Sequence, residues 1–321
     1  MKRLMVFVLA CAAVMPWINA HAQNYPNRPI RLVVPFPAGG NVDVFSRVLF
    51  RQVEAELGQP FVIDNRGGAN SLIGSDLVAK AAPDGYTLLN TSFGFAVNPL
   101  IIRKMPFDTE KDFTPVTSVA LGLGYLMVVH PAVPANNVRE LIALAKKQQV
   151  RYSTAGIGNG QHLAGALFNM EAGTEMLHVP YKGGGPAVNA VLGGEVQVHF
   201  PAGSVGVPHV KAGKLRAIGF TGAKRLSSLP DVPTVAEGGL PKYVADAGWH
   251  AVFAPAKTPM PIVTKVQQAI HKALQDPKIN QFFVDNGYEP QGEAPAVWAK
   301  KFHEDLKRYA KIVKAAKIEA Q

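Results

Sequence analysis

Two short segments carry the residues best placed to do chemistry. The first, Val33-Val34-Pro35-Phe36-Pro37-Ala38-Gly39-Gly40-Asn41-Val42-Asp43, runs from a β-branched stretch through a Gly-rich turn into a helical pattern. That order leaves unpaired backbone N–H groups at the positive end of a helix dipole, an arrangement suited to an anion. Gly39 and Gly40 allow close backbone approach, Phe36 offers an apolar wall, and Asp43 can cap the helix. An ordinary βα turn with two glycines would look the same. The second segment, Ser153-Thr154-Ala155-Gly156-Ile157-Gly158-Asn159-Gly160-Gln161-His162, also follows a strand and opens a helix. In open α/β sheets ligands sit beyond the carboxyl ends of strands. Two such turns, one from each half of the chain, predict a shared cleft.

Other chemistries fit less well. The first turn lacks the third glycine of a dinucleotide fingerprint, and no Gly-Lys-Ser/Thr follows either turn, so phosphate-specific binding is weakly supported. Ala202-Gly203-Ser204-Val205-Gly206 resembles a relaxed nucleophile elbow between a strand and a helix, which would make Ser204 the nucleophile of a secreted serine hydrolase. Pro201 and Pro208 disfavour that sharp turn, and His250, His271, His303 and Asp231 show no spacing that selects a partner. A pocket-lining or plain turn serine fits better. The histidines are scattered without an i,i+4 pair. His162 can cap a helix or meet a ligand, while His178 and His199 read as satisfied beside strands. Carboxylate pairs at acid/base spacing are missing. The expectation is a binding protein, not an enzyme, with no cofactor and no metal.

The elements that must hold these turns alternate. Residues 30–35 read as a strand, and Phe45, Val48, Leu49, Val53 and Leu57 lie on one helical face that Gly58 ends. Further strands are expected at 61–64 and 86–90, with a helix at 74–81 between them. Residues 116–129 read as one long strand crossing between lobes. Beyond it come a helix at 138–147, a strand at 151–153, a helix at 162–172, and later strands at 196–200 and 215–221. Residues 249–254 read as a strand returning to the first lobe, and 261–274 and 295–316 as helices with Lys and Arg outward. Strand–helix alternation implies α/β lobes with mixed, mostly parallel sheets covered on both faces and joined by crossing strands. The divisions expected are 23–122 with 246–321 for lobe one and 123–245 for lobe two.

The N-terminus reads as a secretory leader. Lys2 and Arg3 precede an uncharged apolar run at 4–14, and Ala20-His21-Ala22 places cleavage near Ala22. The run is too short to span a bilayer, and Cys11 gives only a loose lipobox. Cys11 is the single cysteine in 321 residues. Its removal leaves no thiol to misoxidise in an oxidising compartment, which agrees with a periplasmic location. The formal charge of +10 falls to +8 without Lys2 and Arg3. The bases are spread along the chain rather than gathered in a stripe, so a general attraction for anions is expected and a nucleic-acid partner is not.

The chain resembles the Bug (TctC-type) extracytoplasmic solute receptors of tripartite tricarboxylate transport systems. The matching pieces are Tyr25-Pro26-Asn27-Arg28-Pro29-Ile30, the turn from Pro35 to Asp43, Asp64-Asn65-Arg66-Gly67-Gly68-Ala69 and Ala82-Pro83-Asp84-Gly85-Tyr86-Thr87-Leu88-Leu89. Lys111-Asp112-Phe113-Thr114-Pro115-Val116, His178-Val179-Pro180-Tyr181-Lys182-Gly183-Gly184-Gly185-Pro186, Lys211-Ala212-Gly213-Lys214-Leu215-Arg216 and Leu229-Pro230-Asp231-Val232-Pro233-Thr234-Val235-Ala236-Glu237 continue the match. The resemblance implies a two-lobed periplasmic binding protein, a Venus flytrap. It would take a small organic carboxylate, dicarboxylate or aromatic (a phthalate-type acid), without cofactor, as a monomer that delivers to the transporter's membrane components. A sensor docking on a membrane kinase would share these features. Carried over, the ligand contacts are Phe36, Ala38, Gly39, Asn41 and Asp43 facing Ser153, Thr154, Ala155 and Asn159, with Ser92, Phe93, Ser204, Trp249 and His250 as further walls. Two departures stand out. The family often has an acid just after the strand that ends here at Phe200, and a glycine where this chain has Ala251. Loss of the acid suggests a purely anionic ligand, aromatic if Phe36, Phe93 and Phe200 stack on it.

Overall fold

The computed structural model describes residues 25–315. The leader reading falls on residues outside these. The chain builds two sheets. The first begins with β1 (Ile30–Val34), whose apolar side chains are fully buried, followed by α1 (Asn41–Leu57). That helix buries Val42, Phe45, Leu49, Phe50 and Val53 and ends at Gly58, whose φ of 71° and N–H to Glu54 O close its last turn. Then come β2 (Phe61–Asn65), α2 (Leu72–Ala79), β3 (Thr87–Ser92), α3 (Gly94–Ile101) and β4 (Phe113–Gly122).

The chain leaves the first sheet at Gly122 and enters the second at β5 (Leu126–Val129). There follow α4 (Val138–Lys147), β6 (Arg151–Thr154), α5 (Gly160–Ala172), β7 (Leu177–Pro180), α6 (Gly184–Leu192), β8 (Val198–His199), α7 (Gly203–Lys211) and β9 (Arg216–Phe220). β10 (Gly248–Pro255) returns to the first sheet, and α8 (Met260–Leu274), α9 (Pro277–Asp285), β11 (Tyr288–Pro290) and α10 (Pro295–Ala315) complete the chain.

The first sheet has the order β11-β4-β10-β3-β1-β2 and the second β7-β6-β8-β5-β9. This is a two-lobed α/β fold, and both sheets are mixed. Only β1 with β2 and β3, and β6 with β7 and β8, pair in parallel; the strands next to the crossings pair antiparallel. The sheets are therefore less parallel than strand–helix alternation suggests. That pattern reports how neighbours are connected, but not the direction in which a strand re-enters from the other lobe. The single crossing strand read at 116–129 is two strands, broken at Leu123-Gly124-Tyr125, because each half belongs to a different sheet. α3 and α9 were not anticipated: each is short and carries a proline, at Pro99 inside the first and Pro277 at the start of the second.

β10 occupies the centre of the first sheet with all eight residues buried. On one face Trp249 and Phe253 meet Trp298 and Phe302 of α10, at 5.0 Å between the two indoles. A buried ring of this size contributes about 2–3 kcal/mol, so α10 is held mainly by its apolar stripe. The opposite face of β10 turns His250 toward Phe45 of α1 and Tyr288 of β11.

Candidate ligand-binding cleft

A cavity of about 120 Å³ lies between the lobes, lined from both sides. Six helices begin at its wall. Gly40 and Asn41 open α1, Ser71 precedes α2, and Phe93 and Gly94 open α3 from the first lobe. Asn159 and Gly160 open α5, Gly184 opens α6 and Ala202 precedes α7 from the second. Each brings unpaired N–H groups and the positive end of a dipole. None of the lining side chains is Asp, Glu, Lys or Arg. The positive potential in this cavity is thus made by backbone, and nothing there repels a carboxylate.

Asn41 is the most connected polar group in the wall. Its Nδ2 donates to Tyr288 Oη at 2.6 Å and lies 2.8 Å from His250 Nε2, while its Oδ1 accepts from Ser204 Oγ at 2.5 Å. Burial pushes His250 down to about 3, so the ring is neutral and Nε2 accepts from the amide. The Ser204 bond ties the first turn of α7 to that of α1 across the cleft. Asn70 Nδ2 adds a long contact to Ile157 O at 3.5 Å.

Of the residues expected at the ligand, Phe36, Asn41, Ser92, Phe93, Ala155, Asn159 and His250 line the cavity. Ala38, Gly39, Asp43, Ser153, Thr154, Ser204 and Trp249 do not line it, Ala38 and Gly39 being exposed to solvent. Asp43 is buried and pins the Gly-rich turn: burial would raise its pKa, but bonds from Arg47, Gly39 N–H and Asn65 outweigh this and lower it. Gly39 takes a φ of 76°, which a side chain would strain. Ser153 Oγ donates to Ala187 O and Thr154 Oγ1 to Gly156 O, so both hydroxyls shape the second turn from below. Trp249 turns away because neighbours on a strand face opposite sides, and His250 takes the cleft side. Phe200 is fully buried against Tyr152 and is not available to stack on a ligand.

The cavity also recruits residues not expected from the sequence. Ala69, Asn70 and Ser71 hold successive φ values of 45°, 52° and 71°, an unusual left-handed run. Asn98 Nδ2 donates to Asn70 O at 2.7 Å and holds that loop at the wall. Tyr125 comes from the crossing segment, Gln161 braces Ala155 N–H through its Oε1, and Tyr288 reaches in from β11. The Asn-Ser pair next to Gly67-Gly68 was a visible turn signal; Tyr288 had none.

Residues 45–318 match the model of the tripartite tricarboxylate transporter family receptor. The chain belongs to that family. BugT of Bordetella pertussis is 34% identical over 96% of this chain and 94% of its own. Among solved structures, the periplasmic binding protein BugD superposes with a TM-score of 0.86 at 32% identity, covering 92% of this chain and 100% of that one. A Rhodopseudomonas palustris protein with adipate gives 0.87 at 33% identity over 92% and 100% of the two chains. MatC from Rhodopseudomonas palustris with bound malate gives 0.81 at 30% identity over 90% and 100%. Membership of the receptor family makes this chain a solute-binding protein.

Proposed function

We propose that this receptor closes on a small organic dicarboxylate in the periplasm and presents it to the membrane components of a tripartite transporter. One observation carries the reading: six helix N-termini converge on a cavity with no charged side chain. Such a site binds anions through backbone dipoles. Adipate and malate in the two related structures are small dicarboxylates, as this cavity would suit. Among the described residues no helix is long and apolar enough to cross a membrane. Contacts made with both lobes only in the closed state would drive closure.

The hydrogen bonding of Ser204 does not favour the hydrolase reading. Ser204 directs its proton to an amide oxygen, Asn41 Oδ1, which is no general base. An aromatic acid remains an arm of the test, because Phe36 and Phe93 both line the cavity. The test is a thermal-shift panel of malate, adipate, phthalate, benzoate and aspartate. A ligand at a hundred times its Kd stabilises by about 2.7 kcal/mol, a rise of several degrees. Malate or adipate should give that rise; a panel in which no acid does so would reject the proposal.

A further inference from the structure

Tyr288 stands 247 residues from Asn41 in sequence yet shares a hydrogen bond with it. The direction of that bond follows from the groups around it. Ser204 occupies the oxygen end of the Asn41 amide, so its NH2 end faces His250 Nε2 and Tyr288 Oη. The amide donates to both. Tyr288 Oη is therefore an acceptor toward Asn41 and keeps its own proton. Burial pushes the phenol up and keeps it neutral at any physiological pH. No acceptor for that proton is found among the described residues, and Tyr288 lines the cavity.

We infer that Tyr288 is a specificity-determining residue whose hydroxyl donates to an oxygen of the bound acid. The inference rests on the carboxylate reading above and narrows the ligand class. The cavity meets its ligand mainly as a donor: backbone N–H groups, the Tyr288 hydroxyl, and the amide groups of Asn159 and Gln161. Three of the five amide oxygens in the lining are taken, Asn41 Oδ1 by Ser204, Asn159 Oδ1 by His162 N–H and Gln161 Oε1 by Ala155 N–H, which leaves those of Asn70 and Asn98 as neutral acceptors. An α-ammonium group would find no carboxylate partner and would sit in the field of six helix N-termini. The site thus selects dicarboxylates without an amino group, such as hydroxy or unsubstituted acids, over aspartate and glutamate. Asn41 sets the donor's direction only while Ser204 holds it, so the recognition group is fully assembled in the closed form.

Calorimetric titration of the full mature chain with malate, adipate and aspartate tests this. The wild type should bind a dicarboxylate and reject aspartate by a hundredfold or more. Tyr288→Phe should weaken the dicarboxylate about 10- to 100-fold, the range for a bond to a charged acceptor, with only a modest fall in the ligand-free melting point from the acceptor lost to Asn41 Nδ2. If that variant folds poorly, 3-fluorotyrosine at position 288 replaces it: a more acidic hydroxyl of nearly the same size is a stronger donor, so binding should tighten. A merely structural ring would not respond in that direction. Equal affinity in wild type and both variants, or tight aspartate binding, overturns the inference while leaving a carboxylate receptor standing. Wild-type protein that binds none of the three acids rejects the carboxylate reading itself.

Discussion

Ser204 Oγ donates to Asn41 Oδ1 across 2.5 Å, joining the first turn of one lobe's helix to the first turn of the other's. The two residues belong to α7 and α1, both of which open on the cavity. Closure is therefore supported by a protein–protein bond as well as by any ligand. Ser204→Ala removes one hydrogen bond, worth about 1 kcal/mol, which shifts an open–closed balance about fivefold. Small-angle scattering of the ligand-free variant should give a larger radius of gyration than the wild type. Saturating ligand should restore it. Identical ligand-free curves would show that the bond does not hold the lobes.

Glycines on the second lobe let it seat against the first. A Cβ at Gly160 would meet Phe93 Cζ at 2.7 Å and would also overlap the Tyr125 hydroxyl. Gly160 has ordinary helical backbone, so alanine would not strain it locally, and alanine favours the helix. Gly160→Ala should thus leave the melting point near the wild-type value while propping the cleft open and weakening ligand about tenfold or more, a cost of ~1.4 kcal/mol or above. Titration together with unfolding separates the two effects. A loss of stability with unchanged affinity would place the crowding inside the lobe instead.

Acid should weaken the fold through buried histidines. Burial pushes His199 down to about 4 and His250 down to about 3; burial, with His162 stacked at 3.9 Å, pushes His178 down to about 4. In the unfolded chain each returns to about 6.5. The folded state therefore refuses protons that the unfolded state takes, and the stability this gives is complete above pH ~6.5. It is lost as pH falls toward the folded values near 4 and 3. For the fully buried His199 and His250 the slope approaches ~1.4 kcal/mol per pH unit each. Urea unfolding at pH 7, 6 and 5 should show a falling midpoint; a flat profile would contradict the burial of these rings.

The β1–α1 and β6–α5 turns were legible because their residue types act locally: a strand-forming run, glycines, then a helical pattern, although the N-cap of α1 is Gly40 without a side-chain bond rather than Asp43, and that of α5 is Asn159. The same local logic overreached at Asp43, Ser153 and Thr154. A polar residue in a turn can serve the ligand or the turn, and only packing decides; here Arg47, Ala187 and Gly156 claim them. Trp249 and His250 were placed at the wall together, although strand alternation separates them. Tyr288 was invisible for a different reason. Its position depends on β11 pairing with β4, an edge three residues long whose register no local pattern sets. The antiparallel entry of β10 was hidden likewise, since it is a property of the return from the second lobe.

Charge is the sharpest test of how the cavity recognises its ligand. Asn41→Asp is nearly isosteric and keeps an acceptor for Ser204, but it places a carboxylate at the start of α1, among six helix N-termini. The substitution removes the amide's bonds to Tyr288 Oη and His250 Nε2, a loss that the helix N-termini around the new charge partly offset, so the ligand-free protein should fold but melt somewhat lower than wild type. A bound carboxylate would then face a like charge. At about 4 Å and an effective dielectric of 20 the repulsion is about 4 kcal/mol, and the helix dipoles would already be satisfied. Binding of malate or adipate should fall by about a hundredfold or more, while the calorimetric fold transition persists. Were the affinity to stay within about threefold of wild type, the ligand's charge would lie away from α1, and the convergence of helix N-termini would no longer account for binding.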